Sequence, residues 1–288
     1  MKKLKLGVPV SPTGLVIFSI GSVQLGSAIA KSLLAETSPA GIVLLRVGFA
    51  AIVLFCLWQP RLNDRVYASR WLLFAFGCAL ALMNLSFYRA IERIPLGIAV
   101  ALEFIGPLGI ALVHSRRWLD GLWVLLAGTG IILLTPFAGV TLDPLGIGLA
   151  MVAGMCWAVY ILLSARIGQT LEGGEGLAWA MAIATLILLP IGVFTEGTAL
   201  LQPHLLLMGF GVALLSSAIP YSLDLAALRG LSVKVFGILL SLEPVAAALA
   251  ALLILNERLS PQAIAAILII TLAAAGSSYF APRQPHQN

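Results

Sequence analysis

The sequence predicts an all-α membrane protein: ten transmembrane helices arranged as two inverted five-helix repeats. Three observations carry that prediction. The composition is too apolar for a water-facing surface, the apolar runs have membrane-spanning length, and an internal repeat contains an odd number of spans. Of the 288 residues, 60% are hydrophobic and only 10% are charged, with a mean hydropathy of +1.05. Soluble domains carry about 25% charged residues because their surface faces water. The formal charge of +5 is scattered between apolar runs. It forms no basic stripe, so nucleic acid is not an expected partner and the lipid bilayer is.

A span needs about 20 predominantly apolar residues to cross roughly 30 Å of hydrocarbon. Such runs occur at 13–31, 39–58, 71–89, 96–114, 119–138, 145–165, 176–194, 204–224, 234–255 and 261–281. The connections between them are short and hold most of the charges, prolines and turn residues, as in Gln59-Pro60-Arg61-Leu62-Asn63-Asp64 and Glu172-Gly173-Gly174-Glu175-Gly176. Lys2, Lys3, Lys5 and Ala28-Ile29-Ala30 imitate a cleavable leader, but Gln24 interrupts the apolar stretch and cleavage would break the repeat. The first span is therefore expected to stay in the chain.

Lysines and arginines favour one set of alternate connections: Lys2, Lys3, Lys5, Arg61, Arg65, Arg70, Arg116, Arg117, Arg166, Arg229, Lys234 and Arg283. The other set holds Lys31, Arg89, Arg93 and Arg258, which is 12 against 4. By the positive-inside rule both termini are expected in the cytoplasm.

Displacing the sequence by 140 residues aligns Asn84–Gly121 with Asp224–Pro261. Arg89 falls on Arg229, Gly97 on Gly237, Glu103 on Glu243 and Leu119 on Leu259. The repeats are expected at 13–138 and 145–281. Five spans is an odd number, so the second copy enters the membrane from the opposite side. That architecture gives a pseudo-two-fold axis in the membrane plane and suits alternating access, with the substrate held near the midplane.

Charges within hydrocarbon cost about 2.5–3.5 kcal/mol on insertion scales and need a partner or a wet cavity. Glu103 and Glu243 each precede a proline, Pro107 and Pro244, which removes a backbone donor and makes the surroundings more polar. They either line a cavity and hold a substrate amine or proton, or they fix the fold. Arg46 within the second span either binds a substrate carboxylate or pairs permanently with Glu103 or Glu243. Polar residues recur at helical spacing: Gln24, Ser27 and Lys31; Asn84 and Tyr88; Trp157, Tyr160 and Ser164; Ser217, Tyr221 and Asp224. The candidate substrate-binding set is Gln24, Arg46, Asn84, Tyr88, Glu103, Trp157, Tyr160, Tyr221, Asp224 and Glu243. Donors, acceptors, aromatics and both signs of charge together suit a small zwitterion. His114 lies at a span end and reads as an interfacial residue. Cys56, Cys78 and Cys156 lie in apolar runs without metal-ligand spacing and read as small apolar residues.

No H-E-x-x-H, P-loop or metal-ligand cluster is present, and Gly276-Ser277-Ser278 has no histidine near it in sequence. The expectation is a transporter rather than an enzyme, with no cofactor and with energy drawn from a gradient. An intramembrane enzyme is the alternative from a different class.

Leu242-Glu243-Pro244-Val245-Ala246-Ala247 followed by Leu255-Asn256-Glu257-Arg258-Leu259-Ser260-Pro261 resembles the end of an EamA-type repeat of the drug/metabolite transporter superfamily. Residues 22–33, 94–107 and 218–224 resemble its bacterial inner-membrane threonine/homoserine exporters. The resemblance implies ten helices, cytoplasmic termini, an inner-membrane location, and efflux of small amino acids such as threonine and homoserine in exchange for protons. Relatives with similar motifs export other metabolites, among them aromatic amino acids, purines and drugs. Two departures stand out. Arg116-Arg117-Trp118-Leu119 replaces the acidic pattern of Asn256-Glu257-Arg258-Leu259, and Asp224 stands where the resemblance implies a glutamate.

Overall fold

Serine, asparagine or aspartate begins many of the helices, often with proline next, because the side chain caps a free N–H and proline has none to leave unpaired. In the computed structural model, which describes residues 11–33, 36–94, 96–115, 117–135, 143–246 and 260–280, α1 spans Pro12–Leu33 and α2 spans Pro39–Trp58. Ser38 caps α2 by accepting from the Gly41 N–H. A short helix α3, Asp64–Ala68, capped by Asn63, occupies what the sequence suggested was a bare connection. The others are α4 (Arg70–Ile91), α5 (Leu96–Glu103), α6 (Ile105–Val113), α7 (Trp118–Leu134), α8 (Pro144–Thr170), α9 (Glu175–Glu196), α10 (Pro203–Ala213), α11 (Ile219–Ala227), α12 (Val233–Leu240) and α13 (Pro261–Tyr279). Strands are absent among the described residues. Lys2, Lys3, Lys5, Arg116, Arg283, the Lys31 side chain and the Leu255-Asn256-Glu257-Arg258-Leu259 motif lie outside the described residues.

Among the described residues, five helices are long and apolar enough to cross a bilayer: Pro39–Trp58, Arg70–Ile91, Pro144–Thr170, Glu175–Leu201 and Pro203–Ala227. Shorter apolar helices cover Ile98–Val113, Trp118–Leu133 and Pro261–Ser277. Phe18, Val113, Leu125, Phe194 and Leu207 are exposed, as a lipid-facing exterior requires.

Three of the expected spans are not continuous α-helix. The span at 96–114 breaks at Phe104, between α5 and α6. The span at 234–255 breaks at Ser241, after α12, and the chain is helical again at Leu242–Ala246. The span at 204–224 carries a π-helical segment, Leu214–Ala218, between α10 and α11, where the Ile219 N–H reaches back to the Leu214 carbonyl.

Helix α4 packs along α8 and α9, while α1 packs along α11 and α2 along α9 and α10. Helix α6 lies against α8 and α12, α1 also meets α12, and α7 pairs with α13. Lipid tails are as apolar as leucine, so such contacts depend on close fit and small residues. Gly106 and Gly154 are the clearest case: a Cβ on Gly106 would collide with the Gly154 carbonyl, and a Cβ on Gly154 would lie 2.6 Å from the Glu103 carbonyl oxygen.

Ion pairs tie the connections. Arg93 meets Asp143 at 3.0 Å, His204 pairs with Glu36, and Lys234 meets Asp120 at 2.8 Å in a largely buried setting. The hydrogen bond from Arg93 and the Leu145 N–H at the start of α8 hold the Asp143 carboxyl below its ordinary range.

Candidate functional site

The site is organised by a carbonyl that lacks its helical donor. In α-helical register the Ser216 carbonyl would accept from residue 220, but Pro220 has no N–H, and the chain passes through a π segment here. Arg46, about 10 Å along α2 from Pro39 at 1.5 Å per residue, supplies the missing donor. Its Nη2 donates to Ser216 O at 2.7 Å and to Tyr221 Oη at 3.2 Å, and its Nε donates to Ser217 Oγ at 2.7 Å. π-Helical segments inside α-helices are frequent at functional sites because they expose backbone groups in this way.

The expected pairing of Arg46 with Glu103 or Glu243 is not formed. The ion pairs among the described residues are Arg65–Glu172, Arg89–Glu92, Arg93–Asp143, His204–Glu36 and Lys234–Asp120. Hydroxyls and a carbonyl satisfy the guanidinium instead, so its charge is not neutralised by direct contact with a carboxylate. Tyr88 and Glu103 lie within its electrostatic reach.

Glu103 closes α5 at the break, and Glu243 lies in the first helical turn after the second break. Both are half-buried, and each lies in the field of the other and of Arg46 or Asp224. The breaks have the same origin as the freed Ser216 carbonyl. Pro107 leaves the Glu103 carbonyl without a donor, and Pro244 does the same for Leu240. Gln24 Nε2 donates to the Glu243 carbonyl at 3.2 Å, which ties α1 to that turn.

Aromatic rings wall the cluster. Tyr160 is fully buried between Phe76, with ring centres 5.5 Å apart, and Tyr221, at 5.4 Å. Trp157 stands edge-on to Phe104 at 5.0 Å, and Tyr88 stands edge-on to Phe87 at 6.0 Å. Asn84 is buried, donates to the Leu80 carbonyl at 2.8 Å and faces Tyr221. Asp224 is buried and turned toward Ser19 of α1. Nine of the ten candidate residues thus fall in one connected cluster, drawn from α1, α2, α4, α5, α8, α11 and the turn after α12, and Trp157 joins it through Phe104, the neighbour of Glu103.

The α1 stripe needs correction. Ser27 is exposed, and the face of α1 that packs inward carries Ser19 and Ser22. These donate to the Pro220 carbonyl at 3.3 Å and the Leu215 carbonyl at 2.6 Å. Gly26 sets this face: a Cβ there would meet Ser216. Sequence reasoning missed Ser19, Ser22 and Ser216, and the signal that marks them is Pro220, which loosens the helix they grip. His114 is exposed, with Nδ1 2.9 Å from the Ile110 carbonyl. Cys56 is exposed, while Cys78 and Cys156 are half-buried. The described residues hold no metal-binding group of three or more His, Cys, Asp or Glu side chains. A cleft of about 420 Å³ lined by Asn63, Asp64, Arg65, Leu171, Glu172 and Glu175 lies elsewhere, between α3 and the α8–α9 turn.

Comparison with known proteins agrees with this architecture. Residues 144–279 match the EamA-like transporter family. The chain is 38% identical to the threonine/homoserine exporter RhtA of Salmonella typhimurium (strain LT2) over 286 residues, covering 99% of this chain and 96% of the relative. It is also 38% identical to RhtA of Escherichia coli (strain K12) over 280 residues, covering 96% and 94%. A solved crystal structure shares the fold at a TM-score of 0.79 and 18% identity, covering 94% of this chain and 97% of its own. A multi-pass helical protein with a polar cluster inside an apolar exterior, similar over nearly its whole length to curated exporters, belongs to the EamA-like transporter family.

Proposed function

We propose that this chain exports small amino acids such as threonine and homoserine by alternating access, in exchange for protons, across the bacterial inner membrane with both termini cytoplasmic. The two halves are residues 13–138 and 145–281, each of five spans. The helix packing supports their equivalence. Exchanging the first five spans for the second five carries α1 against α11 into α8 against α4, and α2 against α10 into α9 against α4. It likewise carries α1 against α12 into α8 against α5 and α6, and leaves α2 with α9, α6 with α12 and α7 with α13 unchanged. Two interrupted helices, each with a glutamate at its break, also fit a midplane site in a repeat transporter.

The observation that carries the reading is a midspan arginine with no carboxylate partner among the described residues, set near Glu103 and Glu243. Arg46 holds the substrate carboxylate by its charge and by donation from Nη1, the nitrogen that makes none of the bonds to Ser216, Ser217 and Tyr221. Glu103 and Glu243 hold the ammonium group and, in the return step, a proton, so amine and proton compete for the same carboxylates. Gln24, Asn84, Tyr88, Trp157, Tyr160, Tyr221 and Asp224 line the remainder of the site.

Counterflow of labelled threonine and homoserine in proteoliposomes under an imposed pH gradient tests this. Saturable counterflow of both, faster with the gradient, is expected. No movement of either removes the substrate assignment, and indifference to the gradient removes proton exchange. The aromatic wall of Phe104, Trp157, Tyr160 and Tyr221 favours a second reading, export of aromatic amino acids, so phenylalanine and tryptophan belong in the same assay.

A further inference from the structure

Among the described residues, four polar atoms in and beside the site are buried without a hydrogen-bond partner: Ser216 Oγ in the π segment and, grouped apart from it, Tyr160 Oη and Ser164 Oγ on α8 with Asp224 Oδ1 on α11. Ser164 is 0% exposed, Tyr160 1% and Asp224 7%. Tyr160 and Ser164 are one turn apart on one helix face, with the tyrosine hydroxyl turned toward the serine without closing a normal hydrogen bond. Asp224 lies within electrostatic reach of that hydroxyl. Native proteins leave few buried polar groups unpaired, because each one loses its water and gains nothing for it. Three together, from two helices, mark a place built for a polar guest.

The position of this group relative to Arg46 says which guest. Tyr221 links the two: its hydroxyl accepts from Arg46 Nη2, and its ring lies 5.4 Å from that of Tyr160. Glu243 lies in the field of both Arg46 and Asp224. The three grouped atoms therefore adjoin the carboxylate- and amine-binding groups of the proposed site. They comprise one strong acceptor and two hydroxyls that can donate or accept. That set matches a hydroxyl group, which needs one acceptor for its proton and one donor for its lone pairs.

We propose that Tyr160, Ser164 and Asp224 form a hydroxyl-recognition subsite, which makes the transporter selective for short hydroxylated amino acids over their deoxy analogues. This inference rests on the amino-acid-export reading above. A site built to hydrogen-bond a substrate hydroxyl rejects the analogue lacking it, because its own buried groups then stay unpaired. Threonine and homoserine share one deoxy analogue, 2-aminobutyrate, which isolates the hydroxyl contribution for both.

The test is competition against labelled homoserine counterflow by the full-length protein in proteoliposomes, using unlabelled homoserine, threonine and 2-aminobutyrate. The wild-type protein is expected to need at least about tenfold more 2-aminobutyrate than homoserine. Tyr160→Phe and Ser164→Ala each remove a single oxygen, and either variant suffices if the other does not fold. Each is expected to weaken homoserine and threonine while leaving 2-aminobutyrate unchanged, so the ratio narrows. Since the removed hydroxyl has no partner, the melting temperature of the substrate-free variant should stay level or rise. Equal competition by all three compounds in the wild type overturns the subsite, as does a variant that weakens all three alike. Absence of counterflow for every amino acid tried strikes the export reading itself, and this inference with it.

Discussion

Arg46 donates through Nη2 to the Ser216 carbonyl at 2.7 Å, the carbonyl that Pro220 leaves without its helical donor. A cation within a membrane span is thus held by a defect in a neighbouring helix rather than by an opposite charge. Arg46→Lys keeps the charge but loses the planar fork that reaches Ser216, Ser217 and Tyr221 together. Counterflow is expected to fall at least about tenfold with the protein still monodisperse. Pro220→Ala restores an N–H that competes for the Ser216 carbonyl, and a smaller loss is expected from it in the same assay.

Glu103→Gln and Glu243→Gln keep size and hydrogen bonding but abolish the negative charge. Each is expected to reduce counterflow and to remove its response to a pH gradient. Normal folding with unaltered transport in both variants would leave these glutamates a purely structural role.

Gly106→Ala places a methyl group against the Gly154 carbonyl, where no flexible side chain can move aside. Overpacking of this kind costs about 1–3 kcal/mol. A lower melting temperature in detergent is expected, together with weaker transport, because the Glu103 break lies at this crossing. Gly109→Ala, a position with open space around its Cβ, is the control and should leave both unchanged.

Lys234 and Asp120 form an ion pair in which each side chain is only 11% exposed. Removing one partner of such a pair leaves a buried charge and costs about 3–5 kcal/mol. Lys234→Met should therefore lower the melting temperature sharply. The double variant Lys234→Met with Asp120→Asn should recover part of the loss, since Asp120 also accepts the Arg117 N–H at 3.2 Å and asparagine can keep that bond.

The apolar segments were legible because the length and apolarity of a span are local properties. Pro107 and Pro244 could be read as disturbances, and Glu103 and Glu243 as matched residues, whereas Pro220 carried the same signal and went unread. Which carbonyl each proline frees follows from counting four residues back. What takes up that carbonyl does not, because Arg46 lies 170 residues from Ser216. Charge alone pointed Arg46 toward Glu103 or Glu243, and the hydroxyls of Ser217 and Tyr221 outcompeted them by position. The inward face of α1 was misjudged for a related reason. Polar spacing alone does not separate these residues: Ser19, Ser22 and Gln24 all bond neighbouring helices while Ser27 is exposed, and the close approach of Gly26 to Ser216 is what turns the serine face inward.

The most direct test of the central claim is equilibrium binding of labelled threonine and homoserine to the purified wild-type protein and to Arg46→Gln, with melting temperature recorded for both. The account predicts saturable binding to the wild type and its loss in a variant that remains folded. Undiminished binding to Arg46→Gln would contradict it.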